Sequence, residues 1–279
     1  MWCPVSTINR VRFEQEMLLF GEEEVERLRV VYNSEHPKET PIPKKDPETV
    51  WKELQRRLQS KCKTGRAECI IGSMLRRPKA PSEWLVNREE WLSSDDIDKV
   101  EENYVKLFHD YHYVGTVPID FDLQDETRKC LVSTLCSMKL PELYKQGKQQ
   151  FGIVINTDPH DGPGQHWVAL YCDIRPELEH PRCTYFDSYA ETPEEEVKTL
   201  MKRWKEQWDA TGIHKNEMKL TFNKTRHQYK DSECGMYCLY FHYACLVGLP
   251  MGTRIPDDVI NGFRGLLFRI PGGNSGDKE

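Results

Sequence analysis

His227-Gln228-Tyr229-Lys230-Asp231-Ser232-Glu233-Cys234-Gly235-Met236-Tyr237-Cys238 is the stretch around which the whole chain is organised. From Cys234 onward apolar residues recur every three or four positions, with no proline before Pro250, which predicts a helix that begins at Cys234. Unpaired N–H groups and the macrodipole at a helix N-terminus favour an anion, so a thiol held there is a better nucleophile. Gly235 allows close approach of backbone or substrate. Gln228 supplies an amide donor of the kind that a tetrahedral oxyanion needs, so the stretch is typical of an enzyme's nucleophile segment.

Composition narrows the class of protein. The 279 residues can hold one large domain, or a core with a smaller appendage. With 39 basic against 45 acidic residues the net charge is −6, and no basic stripe interleaved with aromatic residues appears, so we expect no nucleic-acid partner. No apolar run approaches the ~18 residues of a membrane span. The N-terminus lacks the basic and apolar regions of a secretory signal, which predicts a protein that is not secreted.

Ten cysteines in a chain without a secretory signal predict a reducing compartment and free thiols. The spacing of Cys62 and Cys69, even with His109 or His112 as further ligands, fits no standard zinc pattern. We therefore predict no metal site and no cofactor.

Proline-rich and glycine-rich stretches divide the chain. We predict an N-terminal helical domain over residues 1–80, a main domain over 81–271 and a flexible tail over 272–279. Hydrophobic periodicity predicts helices over 9–32, 47–61 and 94–108, one or two short helices within 127–147, and helices from 192, from 234 and from about 256. It predicts extended segments over 118–121, 151–156, 166–172, 182–187 and 218–222.

Three residues could form a catalytic constellation. His166 opens a predicted strand and Asp187 ends the next one, so neighbouring strands would project both side chains from one sheet edge. The helix at Cys234 can pack with its N-terminus against them, giving nucleophile, base and orienting carboxylate in the order His, Asp, Cys. Each residue alone has a plainer interpretation: a structural histidine, an aspartate that serves a turn, and a cysteine of the apolar core.

A wider pattern resembles a known group of enzymes. Gln228 and Cys234-Gly235, with Gly164-Gln-His166-Trp167 and Phe186-Asp187-Ser188 upstream, are similar to the active-site pattern of the ubiquitin-like-protein protease clan, which includes the SUMO-specific proteases and adenain. Trp91-Leu-Ser-Ser-Asp95 and Pro118-Ile-Asp-Phe121 resemble further segments of that core. Asn156-Thr-Asp-Pro159 and the closing Leu-Phe-Arg-Ile270 are most similar to maturation proteases of large DNA viruses, including the asfarviruses. The likeness spans residues 84–270.

This resemblance implies an α+β fold: a papain-like-clan cysteine protease core with a central mixed β-sheet flanked by helices and the nucleophile at a helix N-terminus, plus an N-terminal helical extension. It implies that Cys234 is the nucleophile, His166 the base and Asp187 its orienting partner. Gln228 would form the oxyanion hole with the Cys234 backbone N–H.

The resemblance also implies a substrate-binding site. Trp167 and Trp91 would be walls of a tunnel that admits only residues without a Cβ, which explains a Gly-Gly preference; the alternative for both is core packing. The chain departs from the cellular enzymes in having Glu233 where they usually have aspartate, and residues 1–80 match nothing in the cellular SUMO proteases.

The predicted function is a cysteine endopeptidase that cleaves after Gly-Gly-type sites in viral structural polyproteins, in host cytoplasm at viral assembly sites and in the virion. Alternatives are a deconjugating protease for SUMO or ubiquitin-like modifiers, an acyltransferase, which would need a Lys/Arg cluster that the motifs lack, and an inactive scaffold. The partner is a protein with Gly-Gly-X sites; residues 1–80 could bind a scaffold partner or extend the substrate site. Gly272-Gly273-Asn274 is a self-processing site, a tail that occupies the active site as a product-like inhibitor, or an ordinary glycine-rich end.

Overall fold

The computed structural model describes residues 22–60, 62, 70 and 77–269. The chain divides into two compact units, Met1–Arg76 and Arg77–Glu279. The first half of the helix predicted over 9–32, the tail 272–279 and its Gly-Gly-Asn sequence lie outside the described residues.

The first unit contains helices α1 (Glu22–Glu35) and α2 (Pro47–Arg57), which pack together. Asp46 caps α2 because its carboxylate accepts the Thr49 N–H at 2.9 Å, and Pro47 occupies the first helical turn, where no N–H is needed. The Asn33 side chain bonds both the N–H and the C=O of Ile42, so the proline-rich linker is tied to α1. The helix predicted over 47–61 ends earlier than expected, at Arg57.

The second unit contains a mixed five-stranded sheet with helices on both faces. Its described helices are α3 (Ser94–Leu107), α4 (Ser133–Cys136), α5 (Leu140–Lys145), α6 (Glu195–Asp209), α7 (Cys234–Leu246) and α8 (Asp257–Leu267), with a 3-10 helix over Ser82–Leu85. Its described strands, in sheet order, are β1 (Tyr111–Pro118), β2 (Gln150–Asn156), β3 (Trp167–Asp173), β4 (Arg182–Phe186) and β5 (Lys219–Phe222). β1–β2 and β4–β5 pair in parallel, whereas β2–β3 and β3–β4 are antiparallel.

The two central strands, β2 and β3, are buried along almost their whole length because helices cover both faces. Alternate residues of these strands form one apolar cluster with α6, including Ile153, Leu170 and Trp204. The opposite face packs against α7, which is buried nearly all round. This architecture confirms the predicted α+β class, and α7 begins at Cys234 as predicted. None of the helices in the described ranges combines the length and apolar character that a membrane crossing needs.

Strand β1 was not predicted, and the extended segment predicted over 118–121 is wrong beyond Pro118. Residues 119–122 form a turn in which the Leu123 N–H bonds the Asp120 carbonyl at 2.8 Å. β1 gives a weak sequence signal because only Tyr111 and Val117 are buried, and its register shifts near Gly115, whose φ is 127°. A shift of this kind breaks the two-residue alternation by which strands are recognised.

The prediction of free thiols was wrong for three cysteines. Cys130 and Cys136 form a disulfide, and Cys62 is also disulfide-bonded. The loop between β1 and α4 brings the Cα atoms of Cys130 and Cys136 to 6.5 Å, within the range that a disulfide spans. Spacing alone could not indicate this pairing, because it depends on how that loop folds back. The free cysteines among the described residues are Cys172, Cys183, Cys234, Cys238 and Cys245.

Gly152 is required by a buried polar network. The Tyr111 hydroxyl donates to Glu101 at 2.9 Å, and Glu101 pairs with His242 at 2.7 Å, all three residues being fully buried. A Cβ on Gly152 would overlap the Tyr111 hydroxyl. We expect Gly152→Ala to lower the free energy of unfolding by about 3 kcal/mol or more, through overpacking and a broken buried hydrogen bond. Urea denaturation measures this.

The matched control is Gly262→Ala, because a Cβ at that helical position meets no atom within 4 Å. It should leave stability unchanged or slightly raised. Equal stability of the two variants would contradict the assigned role of Gly152.

Candidate active site

The edge of the sheet at the start of β3 and the end of β4 brings two predicted site residues together. The strands are antiparallel neighbours, with Ala169 paired to Phe186. His166 directly precedes β3 and Asp187 directly follows β4, so both side chains reach the same edge. The His166 Nε2 lies 2.7 Å from the Asp187 Oδ1. The predicted neighbour relation of these strands is therefore correct.

Asp187 is buried and held in one orientation. Its carboxylate also accepts the backbone N–H of Tyr189 at 2.9 Å and that of Glu191 at 3.1 Å. The Asn223 side chain bonds both the N–H and the C=O of Asp187, at 2.9 and 2.7 Å. These contacts fix the carboxylate before any ligand is present, so that it can hold the His166 ring in a single plane.

His166 has an unusual titration. Burial of the half-buried ring disfavours its charged form, but hydrogen bonds with the Asp187 carboxylate and with the Cys234 side chain outweigh this and raise the pKa of His166 to about 9. Because Nε2 faces Asp187, Nδ1 is the nitrogen left for the thiol. At neutral pH the ring is therefore mostly an imidazolium beside a cysteine.

Cys234 is the first residue of α7 and its exposed fraction is only 2%. The following Gly235 is tightly enclosed: an added Cβ would lie 3.2 Å from Leu92 and 3.4 Å from Trp167. The Trp167 indole N–H donates to the Leu92 carbonyl at 3.0 Å, which fixes the indole beside the start of α7. The close approach expected at Gly235 is thus made by the segment around Leu92 and by Trp167.

Gln228 is fully buried, and its amide is oriented by two hydrogen bonds. Its side-chain oxygen accepts the Ser188 hydroxyl at 2.6 Å, and its side-chain nitrogen donates to the Lys230 carbonyl at 2.8 Å. The second N–H of this amide makes no hydrogen bond with a described residue. Ser188 belongs to the Phe186-Asp187-Ser188 motif, but no sequence pattern indicated its part in orienting Gln228.

Trp91 and Trp167 line one groove of about 480 Å³. Trp91 is 39% exposed and Trp167 only 8%, so the first stands at the rim and the second at the inner end. The facing wall is the loop before β3, where Asn156 Oδ1 accepts the Asp158 N–H and Asp158 Oδ2 accepts the Gly164 N–H, both at 2.9 Å. The structure thus brings both predicted tryptophans to one groove beside the start of α7.

Arg264 is a site residue that sequence analysis missed. Its buried guanidinium donates to the carbonyl of Glu90 at 2.8 Å and to that of Ser232 at 3.3 Å, joining the segment before Trp91 to the segment before Cys234. Its Nε donates to Asn261, which in turn donates to the buried Glu233 carboxylate at 2.8 Å. The one signal in the sequence was an arginine on the apolar face of α8, where Ile260 and Leu267 are also buried.

Comparison with known proteins agrees with this geometry. Residues 152–264 match the family model described as "Ulp1 protease family, C-terminal catalytic domain". The matched range contains His166, Asp187, Gln228 and Cys234, so this part of the chain is similar to that family. The predicted resemblance to the ubiquitin-like-protein protease clan is confirmed.

Individual relatives extend the likeness. A putative thiol protease of Acanthamoeba polyphaga mimivirus is 27% identical over 185 residues, covering 64% of this chain and 57% of the relative. A cysteine protease of African swine fever virus is 38% identical over 137 residues, covering 46% of this chain and 49% of the relative. The chain thus spans about half the length of these relatives. The crystal structure of the African swine fever virus protease, 23% identical, superimposes with a TM-score of 0.58 over 78% of this chain and 90% of that chain, which shows the shared fold.

Proposed function

We propose that this protein is a cysteine endopeptidase of the Ulp1 protease family that hydrolyses peptide bonds after Gly-Gly-type sites. The observation that carries the proposal is the 2.7 Å hydrogen bond between the His166 ring and the buried Asp187 carboxylate, at the sheet edge where α7 begins with Cys234. A thiol, an imidazole and a fixed carboxylate in this order are the minimal set for acyl transfer through a thioester.

The proposed reaction assigns one role to each residue. The Cys234 thiolate, paired with the His166 imidazolium, attacks the scissile carbonyl carbon, and the developing oxyanion accepts N–H bonds from Gln228 and from the Cys234 backbone. The intermediate collapses to a thioester as His166 protonates the leaving amine. His166 then takes a proton from water, whose oxygen attacks the thioester and releases Cys234. Asp187 keeps the imidazole in the required tautomer and orientation throughout.

The groove supports the proposed specificity. Two indoles, Trp91 at the rim and Trp167 beside Gly235, would bracket the residues before the scissile bond. Because the Trp167 indole packs against the start of α7, it would narrow the groove next to Cys234, and a substrate residue with a Cβ would come into conflict with it. A Gly-Gly sequence avoids this conflict.

The origin of the relatives supports a viral substrate. Both sequence relatives belong to large DNA viruses, which favours a viral structural polyprotein cleaved during virion maturation, at assembly sites in host cytoplasm and in the virion. Residues 1–80 would then bind a scaffold partner or extend the substrate site. Deconjugation of SUMO or ubiquitin-like modifiers, acyl transfer and an inactive scaffold are the competing outcomes of the test below.

The test is to incubate the full chain with candidate capsid polyproteins, with Gly-Gly-Ala and Ala-Ala-Ala peptides, and with a ubiquitin-like modifier fusion, and to sequence new N-termini. Cleavage after Gly-Gly in polyprotein and peptide, with Ala-Ala-Ala intact, is expected. Cleavage of the modifier fusion alone would assign deconjugation instead. An acyltransferase would hydrolyse no Gly-Gly-X peptide, and a scaffold would form no Cys234-selective adduct with a Gly-Gly vinyl sulfone.

The titration of His166 predicts a pH dependence. The proposed reaction needs a protonated His166 ring, so kcat/KM should be retained at neutral pH and lost as the pH rises through about 9. Asp187→Asn keeps an oxygen that can accept the ring N–H but removes the charge that raises the pKa of His166. We expect the alkaline limb to move to lower pH by about one pH unit for each 1.4 kcal/mol of lost interaction, with only a mild loss of kcat/KM at pH 7, where the ring stays largely protonated.

The control is Glu194→Gln. Glu194 interacts electrostatically with His166 but makes no hydrogen bond to it among the described contacts. Because this interaction is weaker than the direct hydrogen bond, its variant should move the alkaline limb far less than Asp187→Asn does. If the alkaline limb of kcat/KM were unchanged in Asp187→Asn, the proposed role of Asp187 would be contradicted.

A further inference from the structure

A stack of aromatic and guanidinium groups continues from the His166 ring toward solvent. The Tyr189 ring covers His166 at a centroid distance of 4.9 Å and an interplanar angle of 32°. The Arg226 guanidinium lies 5.2 Å from the Tyr189 ring centroid and 4.6 Å from that of Tyr229. Arg254 lies 4.5 Å from the same Tyr229 ring. We call Tyr189, Arg226, Tyr229 and Arg254 the arginine–tyrosine stack.

The cations near this stack differ in their ionic partners. Arg254 lies 3.4 Å from the Asp257 carboxylate and donates to the His227 carbonyl at 3.1 Å. Lys230 pairs with Asp258 at 2.9 Å and with Glu89 at 3.5 Å.

Arg226 is the exception. Its Nε donates to the Gln228 carbonyl at 2.9 Å, but no carboxylate of the described residues forms an ion pair with it. The side chain is exposed, so its two terminal NH₂ groups can reach a ligand. Asp231, which interacts electrostatically with Tyr189, lies on the same loop and makes no ion pair with this guanidinium among the described contacts.

The stack lies apart from the tryptophan groove. None of its four members lines the groove that Trp91 and Trp167 share. In the proposed reaction the acyl half of the substrate occupies that groove, and the amine half departs past His166, which protonates it. A group that covers His166 away from the groove therefore meets the residues that follow the scissile bond.

We propose that Arg226, held between Tyr189 and Tyr229, binds a substrate carboxylate on the leaving-group side, so that the enzyme prefers an acidic residue just after the scissile bond. This inference rests on the proposed function and specifies its substrate. A guanidinium packed between two phenol rings keeps its plane fixed while its terminal N–H groups stay available, which suits bidentate recognition of a carboxylate. Sequence patterns do not predict this arrangement, because Tyr189, Arg226 and Arg254 are far apart in the chain.

The experiment compares matched Gly-Gly-X peptides that carry Asp or Asn, and Glu or Gln, at the first, second or third position after the scissile bond. For at least one position we expect wild type to cleave the acidic peptide with a kcat/KM about tenfold above that of its amide partner, mainly through KM. Arg226→Gln should abolish this ratio, so that the variant cleaves the acidic peptide no faster than its amide partner. Arg226→Lys, which keeps the charge but not the planar fork, should give an intermediate ratio.

Lys202→Gln is the control for net charge, since Lys202 is exposed on α6, and it should keep the full ratio. Thermal unfolding midpoints verify that each variant is folded. A wild type without acid preference, or an Arg226→Gln variant that retains the preference or loses activity equally on both peptides, would overturn the inference. Equal loss would mean that Arg226 only holds the Gln228 carbonyl. If wild type cleaves no Gly-Gly peptide at all, the proposed function itself fails, and the two failures are distinguishable.

Discussion

Cys234→Ser should abolish cleavage of Gly-Gly-X substrates, with a loss in kcat of at least about 10⁴-fold. A serine hydroxyl is a far weaker nucleophile than a cysteine sulfur at neutral pH, although the side chain keeps nearly the same size. The fold should persist, because Cys234 contributes only one small side chain at the start of α7. Initial rates and circular dichroism spectra measure the two parts of this expectation.

Cys238→Ser is the matched control, since this cysteine lies one turn further along α7. It is fully enclosed, and burial raises the pKa of the Cys238 thiol well above its ordinary value, so it should be unreactive. We expect iodoacetamide to modify wild type at Cys234 and not at Cys238, and we expect Cys238→Ser to keep cleavage activity. If Cys234→Ser turned over substrate at the wild-type rate, a thioester mechanism would be contradicted.

Gln228→Ala should lower kcat by about 10²–10³-fold with little change in KM, the effect of removing one oxyanion donor. The amide is already oriented by Ser188 and the Lys230 carbonyl, so its contribution falls on the transition state rather than on substrate binding. Single-turnover kinetics with a Gly-Gly-X peptide separate the two.

Two further variants make this result specific. Ser188→Ala removes the donor to the Gln228 side-chain oxygen and should give a smaller loss in kcat, because the amide remains but is less well oriented. Gln207→Ala removes a side-chain amide that bonds Met138 and Leu140 away from the candidate site, and it should leave kcat unchanged. A wild-type rate in Gln228→Ala would remove that residue from the mechanism.

Local signals predicted the elements that hold the candidate site. The apolar periodicity after Cys234 identified α7, and the β-rich segments around His166 and Asp187 corresponded to neighbouring strands. Ser93 and Asp96 form the capping box at the start of α3, where hydrophobic periodicity had predicted a helix over 94–108. These features depend on residues close in sequence, which is why the sequence is sufficient to find them.

Features that depend on long-range packing were missed. Arg264 contacts Glu90 and Ser232 through backbone carbonyls, which carry no residue-type signature. The arginine–tyrosine stack joins three separate segments, and the Cys130–Cys136 disulfide depends on the path of a loop.

The contacts of the Arg264 guanidinium affect which inhibitors can bind in the tryptophan groove. By holding the segment before Trp91 and the segment before Cys234 through their carbonyls, the guanidinium fixes the Trp91 wall of the groove relative to the start of α7. A compact, flat compound that imitates two glycines and carries an electrophile for the thiol would therefore meet a pre-shaped slot and lose little free energy to ordering it. Bulky or branched compounds would have to break buried hydrogen bonds to enter, so chemical selectivity is built into the scaffold rather than into a moving lid.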